Sequence, residues 1–356
     1  MTRPFAWMRG TVALACCWGM AACVRAAASE AQASVPASTG PAIPDVDAPT
    51  VDTFTLSTGR IVQVPRGVLV HTDNQVHRMP VDLIAGLVFI HATVDGQTGL
   101  FIVDTGNPTL LLNTHHLSGG PTIDSAIVTD AVGRNVPVLV HAVRQFQWNG
   151  VSIVNLGALG MDLSSVESQL QKELRGQPIL GMVGVSQLSH FISVFDYGKQ
   201  AIELYPSHVF DRRTPARLQT PDVTVPLLTS ESGLFVEGVA GDKSFLLRID
   251  SGDDGLGIDE DFAATLGTHV ISAGRMEPTM GVGGVIVTTP IVVLDRLMIG
   301  AMAYDSLVMR SHLLPANPKD PGRHPQGNLG APFFRHHRIG LDLRRKRLYL
   351  WRDSTA

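Results

Sequence analysis

Two short stretches, Phe101-Ile102-Val103-Asp104-Thr105-Gly106 and Leu247-Arg248-Ile249-Asp250-Ser251-Gly252, decide how this chain reads. Each runs through apolar residues, interrupted in the second only by Arg248, and ends in an Asp, a hydroxyl residue and a Gly. Each also closes a hairpin pattern: Leu87 to Val94, the turn Asp95-Gly96 and Leu100 to Val103 in one, Gly233 to Val239, the turn Gly241-Asp242 and Phe245 to Ile249 in the other. Gly and Asp supply the backbone angles that tight hairpin turns need. Taken singly, either triplet is an ordinary turn sequence, so the weight lies in what recurs around the pair.

Further landmarks follow in the same order. A Gly-bearing turn between apolar stretches occurs at Gly133-Arg134-Asn135 and again at Gly281-Val282-Gly283-Gly284. An apolar pair before Gly, Ile179-Leu180-Gly181, is answered by Leu329-Gly330 after Asn328, 77 and 80 residues beyond the respective Asp. Both copies finish with an Asp at a turn before a last strand, at Phe195-Asp196-Tyr197 and at Leu341-Asp342-Leu343. Ordered recurrence marks an internal repeat. It predicts an all-β protein of two similar lobes in tandem, residues 51–206 and 224–356, joined by 207–223. Helices are minor, over Ser164 to Arg175 and Glu260 to Leu266, the first started by Asp162 or Ser164.

Composition agrees with strands and turns. Gly (35) and Pro (22) are plentiful, and 44% hydrophobic against 17% charged residues suits buried cores. The N-terminus reads as an export signal over residues 1–28: Arg3 and Arg9, an apolar run from Thr11 to Cys23, then Ala26-Ala27-Ala28. The run is shorter than the roughly 20 residues that cross a bilayer. Met20-Ala21-Ala22-Cys23 loosely resembles a lipoprotein cleavage box, so a soluble periplasmic or extracellular protein and one anchored to the envelope through Cys23 both stay open. All three cysteines lie inside this segment, and a chain cut after Ala28 carries no thiol. Residues 29–50, rich in Ala, Ser and Pro, read as a flexible tether. Without residues 1–28 the formal charge falls from −4 to −7, which makes nucleic acid an improbable partner.

With two triplets and two later apolar-apolar-Gly elements, the repeat resembles the aspartic peptidases of the pepsin and retropepsin type, over roughly Val81 to Leu350. The resemblance implies two retropepsin-like lobes with the active site between them. It implies an aspartic endopeptidase acting on peptide or protein substrates, monomeric and without cofactor. Asp104 and Asp250 would share one proton and activate a water, because like charges a few ångströms apart do not both ionise. Thr105 and Ser251 would hydrogen-bond across the lobe interface, and Gly106 and Gly252 would let backbone pass close to the carboxylates. Gly133 and Gly283 would be flap tips that close over substrate. None of the four tyrosines lies near either one, unlike pepsin. The rival reading is a catalytically silent envelope binding or scaffold protein that keeps the fold. Asn107-Pro108 and Asp253-Asp254 after the glycines favour it, since the family has small residues there.

The resemblance also implies that the residue two before each Asp, Ile102 or Arg248, lines a pocket for a substrate side chain. Strand alternation puts Arg248 on the side of Asp250. An arginine there could select acidic substrate side chains, or favour the ionised dyad and move activity towards higher pH. It could also turn outward to Asp242, Asp253 or Asp254. The pairs His115-His116 and His336-His337 lack the helical spacing of a zinc site, so no metal is expected. The Gly281 to Gly284 turn lacks the Lys-Ser/Thr of a phosphate loop.

Overall fold

A computed structural model describes residues 51–55, 61–65, 69–72, 75–117, 122–130, 134–206, 220–230, 233–314 and 323–352. The expected export segment 1–28, the tether 29–50, the flap tip Gly133 and most of the 207–223 connection lie outside the described residues.

The chain is all-β and two-lobed. In the first lobe Leu87–Val94 and Gln97–Val103 pair through a two-residue turn whose Asp95 and Gly96 have φ of 46° and 90°, a type I′ geometry. In the second, Gly233–Ala240 and Lys243–Ile249 turn at Gly241, φ 59°, the position where a type II′ turn requires it. The triplet-bearing end of each inner strand is buried on both faces, so in the first lobe its apolar residues run consecutively instead of alternating, and in the second even Arg248 is buried.

The repeat extends to sheet order. In the first lobe Gln97–Val103, Ile179–Val183, Leu110–Asn113 and Val151–Met161 lie side by side, and in the second Lys243–Ile249, Gly327–Leu329, Leu256–Asp259 and Met302–His312 do the same. The pairing corrects one landmark. Asp104 N donates to Val183 O (2.9 Å) and Asp250 N to Leu329 O (3.0 Å), so the counterpart of Gly330 is Gly184 rather than Gly181. Both glycines then lie 80 residues after their Asp, and both press on carbonyls of their own triplet loop, Asn107 and Thr109 in one lobe, Asp253 and Gly255 in the other. A side chain would collide with that backbone at either position.

A third sheet joins the lobes. Its order is His77–Pro80, Ala201–Pro206, Phe191–Asp196, His337–Asp342, Arg347–Arg352 and Val223–Pro226, all antiparallel, with each lobe giving three strands. Phe195 of the first lobe packs edge-on against Phe334 of the second at 5.2 Å, and Arg338 Nη2 reaches across to Glu203 Oε2 at 2.9 Å. The largest core cluster accordingly draws residues from both lobes, which holds the triplet loops in register with each other. Of the expected helices, Ser164–Leu174 and Glu260–Thr265 form; the first is capped by neither Asp162 nor Ser164 but starts after Leu163, whose side chain cannot cap, with Asp162 just before it accepting from Ser164 N at 2.8 Å, and Asp259 caps the second through Phe262 N.

Candidate active site

The two triplet loops meet at the lobe interface. Thr105 N donates to Ser251 Oγ (3.0 Å) and Ser251 N to Thr105 Oγ1 (2.9 Å), while Thr105 Oγ1 donates to Ile249 O (3.0 Å) and Ser251 Oγ to Val103 O (2.7 Å). Each hydroxyl therefore accepts from the opposite loop and donates to the opposite strand. Four buried bonds in this reciprocal pattern leave the loops little freedom to slide.

The carboxylates face each other above this lattice. Gly106 N donates to Asp104 Oδ1 (2.8 Å) and Gly252 N to Asp250 Oδ1 (3.2 Å), which orients each acid within its own loop. Each acid also lies against the other loop's glycine: a Cβ on Gly106 would stand 2.5 Å from Asp250 Cγ, and one on Gly252 would collide with the Asp104 carboxylate. Both acids are fully buried. Burial pushes the Asp250 carboxyl up, Arg248 pulls it back down, Asp253 raises it, and the neighbouring Asp104 side chain lowers it.

No family of known sequences matches this chain, and no curated protein does. Among solved structures it is similar to the aspartic proteinase from Irpex lacteus, with 13% identity, 79% of this chain and 98% of that chain covered, and a TM-score of 0.46.

The turn that carries Gly283 crosses to the first lobe. The hairpin Val270–Met280 and Ile286–Ile299 carries the Gly281 to Gly284 turn, with Gly284 at φ 78°. Met280 and Val282 are buried in a cluster otherwise made of first-lobe residues, Phe89, Ile102 and Leu111 among them. A Cβ on Gly283 would lie 3.2 Å from Val136 Cγ2 and 3.3 Å from Asp130 Oδ2, and Gln169 Nε2 lies 2.9 Å from Met280 Sδ. The hairpin is thus seated between the first lobe's own long hairpin and its helix.

Ile102 and Arg248 occupy equivalent positions, paired with Phe89 and Phe235 respectively. Neither reaches the surface. Ile102 is fully buried in the first-lobe cluster, and Arg248, 2% exposed, sets Nη2 3.3 Å from Asp250 Oδ2 and donates from Nε to Asn328 Oδ1 at 2.9 Å. The side given by strand alternation agrees, but with both faces of the strand covered that side is interior. Asp253 and Asp254 find their cation in Arg310, at 3.0 and 2.7 Å. Sequence reading missed Asn328, Arg310 and this clustering. The only available signal was the doubled acid after Gly252 with an arginine in a later strand.

Two other features lie outside the pair of acids. His115 and His116 come together with Glu167, their candidate ligand atoms lying within 4.8 Å of one another, and His116 Nε2 contacts both Glu167 oxygens at 2.7 and 2.8 Å. Adjacency in the sequence did not reveal this grouping, because Glu167 comes from the helix 51 residues on. Pro108, Thr109 and Ser186 of the first lobe and Thr229, Gly233 and Leu234 of the second line a groove between the lobes, close in sequence to the first triplet.

Proposed function

We propose that this chain is an aspartic endopeptidase in which Asp104 and Asp250 activate one water against a peptide bond. The observation that carries the reading is the reciprocal bonding of Thr105 and Ser251, which holds two carboxylates face to face in a buried interface where they cannot both ionise comfortably. With one proton between them, the ionised acid takes a proton from water as its oxygen attacks the carbonyl carbon. The protonated acid donates to the carbonyl oxygen. Collapse of the resulting diol breaks the C–N bond, and the amine leaves with a proton from the dyad. No cofactor enters this sequence.

Peptide must reach acids that are fully buried, so the Gly281 to Gly284 hairpin lifts from the first lobe to admit it. The flap and export readings belong together with this proposal: a substrate of the cell envelope or exterior, met by a chain that residues 1–28 direct out of the cell, soluble or held through Cys23. A second reading, an envelope binding protein without hydrolysis, is favoured by the complete burial of both acids.

The deciding experiment is digestion of a peptide library by the wild type, Asp104→Asn and Asp250→Asn. Each single variant is expected to abolish cleavage while unfolding like the wild type, and the double variant to lose little more, because groups acting as a unit are not additive. Near wild-type cleavage in either single variant overturns the reading, and no cleavage by the wild type favours the binding protein.

A further inference from the structure

Among the described residues, the lobes differ in the packing beside their triplets. In the first, Ile102 has Met182 beside it on the parallel strand, Leu111 pairs with Leu159, and all four are buried in one apolar cluster. The equivalent positions of the second lobe hold Arg248 beside Asn328 and Gly257 beside Arg310. Apolar packing has been replaced there by a chain of polar contacts. Asn328, held on one side by Arg248 Nε, donates from Nδ2 to Asp253 Oδ2; Arg310 then clamps Asp253 and Asp254. Arg248, Asn328, Asp253 and Arg310 are at most 5% exposed.

Stability alone does not account for such a chain. Well-packed hydrophobic residues commonly serve a core as well as buried ion pairs do, and the first lobe uses them at these positions. Two guanidiniums against Asp253 and Asp254 also leave the chain neutral before the dyad is counted, so its effect is to place charge. It ends with Arg248 at 3.3 Å from Asp250, whereas the matching position beside Asp104 is the uncharged Ile102.

We propose that Arg248 is a positioning residue of the dyad, which seats the negative charge of the singly protonated pair on Asp250 and leaves the proton on Asp104. The catalytic consequence rests on the peptidase reading: Asp250 takes the proton from the attacking water, and Asp104 gives its own to the carbonyl oxygen. The charged and titratable groups around Asp250 are Asp104, Arg248 and Asp253, followed by Arg310, Asp254, Glu277 and His312, whose imidazole burial pushes down. The direction of the pH effect reverses the expectation drawn from sequence. A cation beside the pair weakens its hold on both protons, so Arg248 moves activity towards lower pH, and its removal moves both limbs of the profile up.

The test is a carboxyl NMR titration of the full chain carrying 13C-labelled Asp, with the two resonances identified through Asp104→Asn and Asp250→Asn. Where the pair holds one proton, the wild type is expected to show Asp250 as carboxylate and Asp104 as acid. Arg248→Met should raise both titration steps by about one to three pH units, the span by which a neighbouring arginine lowers a carboxyl. Arg248→Lys, which keeps the charge, should displace them less. If Arg248→Met does not fold, Asn328→Ala serves in its place: it loosens Arg248 without touching the dyad and should move the steps the same way by less. Unchanged steps in folded Arg248→Met or Asn328→Ala, or a protonated Asp250 in the wild type, overturn the proposal. A chain that titrates as expected but cleaves no peptide removes the peptidase reading and leaves the role of Arg248 standing.

Discussion

Gly106 of the first lobe and Asp250 of the second are so close that a Cβ on the glycine would stand 2.5 Å from the carboxylate carbon. No side chain fits there unless the acid moves. Gly106→Ala is therefore expected to shift Asp250 by a fraction of an ångström to an ångström, and misplacement on that scale lowers turnover on the order of 100-fold. Gly252→Ala should do the same through Asp104. Rates of peptide cleavage measured beside circular dichroism check this, and a folded Gly106→Ala at the wild-type rate contradicts the close approach.

Thr105 and Ser251 should behave as one unit in stability. Thr105→Val removes the acceptor of Ser251 N and the donor to Ile249 O in a buried interface, where an unsatisfied group costs about 1–3 kcal/mol. Ser251→Ala should cost a similar amount. Denaturant unfolding of both singles and the double should give a coupling of at least about 0.5 kcal/mol, whereas additive losses would mean that the lattice does not link the lobes.

The second-lobe hairpin can be locked against the first lobe. Val136→Cys with Gly283→Cys, in a chain whose native cysteines all lie within residues 1–28, places two thiols at the contact between Val136 and the Gly283 backbone. Oxidation should abolish peptide cleavage and reduction restore it. Full activity in the crosslinked protein would show that substrate reaches the dyad by another route.

Stability should depend on pH through Asp250. Although Asp250 is the first acid of the pair to ionise, its carboxyl is still raised above the ordinary value, chiefly by burial, so the folded state holds this proton more tightly than the unfolded chain does. A carboxyl shifted upwards contributes stability that is fully present below its unfolded pKa and is lost as pH rises through the folded value. Thermal unfolding of the wild type and Asp250→Asn should therefore diverge with rising pH, the wild type losing ground. A constant difference across that range would remove the burial effect.

The hairpins and triplets were legible because their cues are local: Asp95-Gly96 and Gly241 can only be turns of a few kinds, and a triplet that recurs in the same setting implies a repeated lobe. The third sheet was not, since nothing in Phe191–Asp196 or His337–Asp342 names the other as its partner. Burial on both faces hid more. Period-two alternation gave the side on which Arg248 lies, but not whether that side was cleft or core. Gly181 was matched to Gly330 for want of the hydrogen bonds from Asp104 and Asp250 that single out Gly184. Arg310 and Asn328 lie 57 and 75 residues from the Asp253 they bind, beyond the reach of any spacing rule.

The central seam of the joining sheet, where Phe191–Asp196 meets His337–Asp342, is also an axis of approximate twofold symmetry. Either lobe made alone would expose that seam as a bare strand edge whose natural complement is nearly a copy of itself. Half of this chain is thus a subunit in waiting: an excised lobe is expected to pair with a second copy into a homodimer, which sedimentation of the lobe alone would show as twice its mass. Two halves joined in one chain need not be identical, as two copies of one subunit must be, and here an arginine stands beside one acid and an isoleucine takes the matching position beside the other.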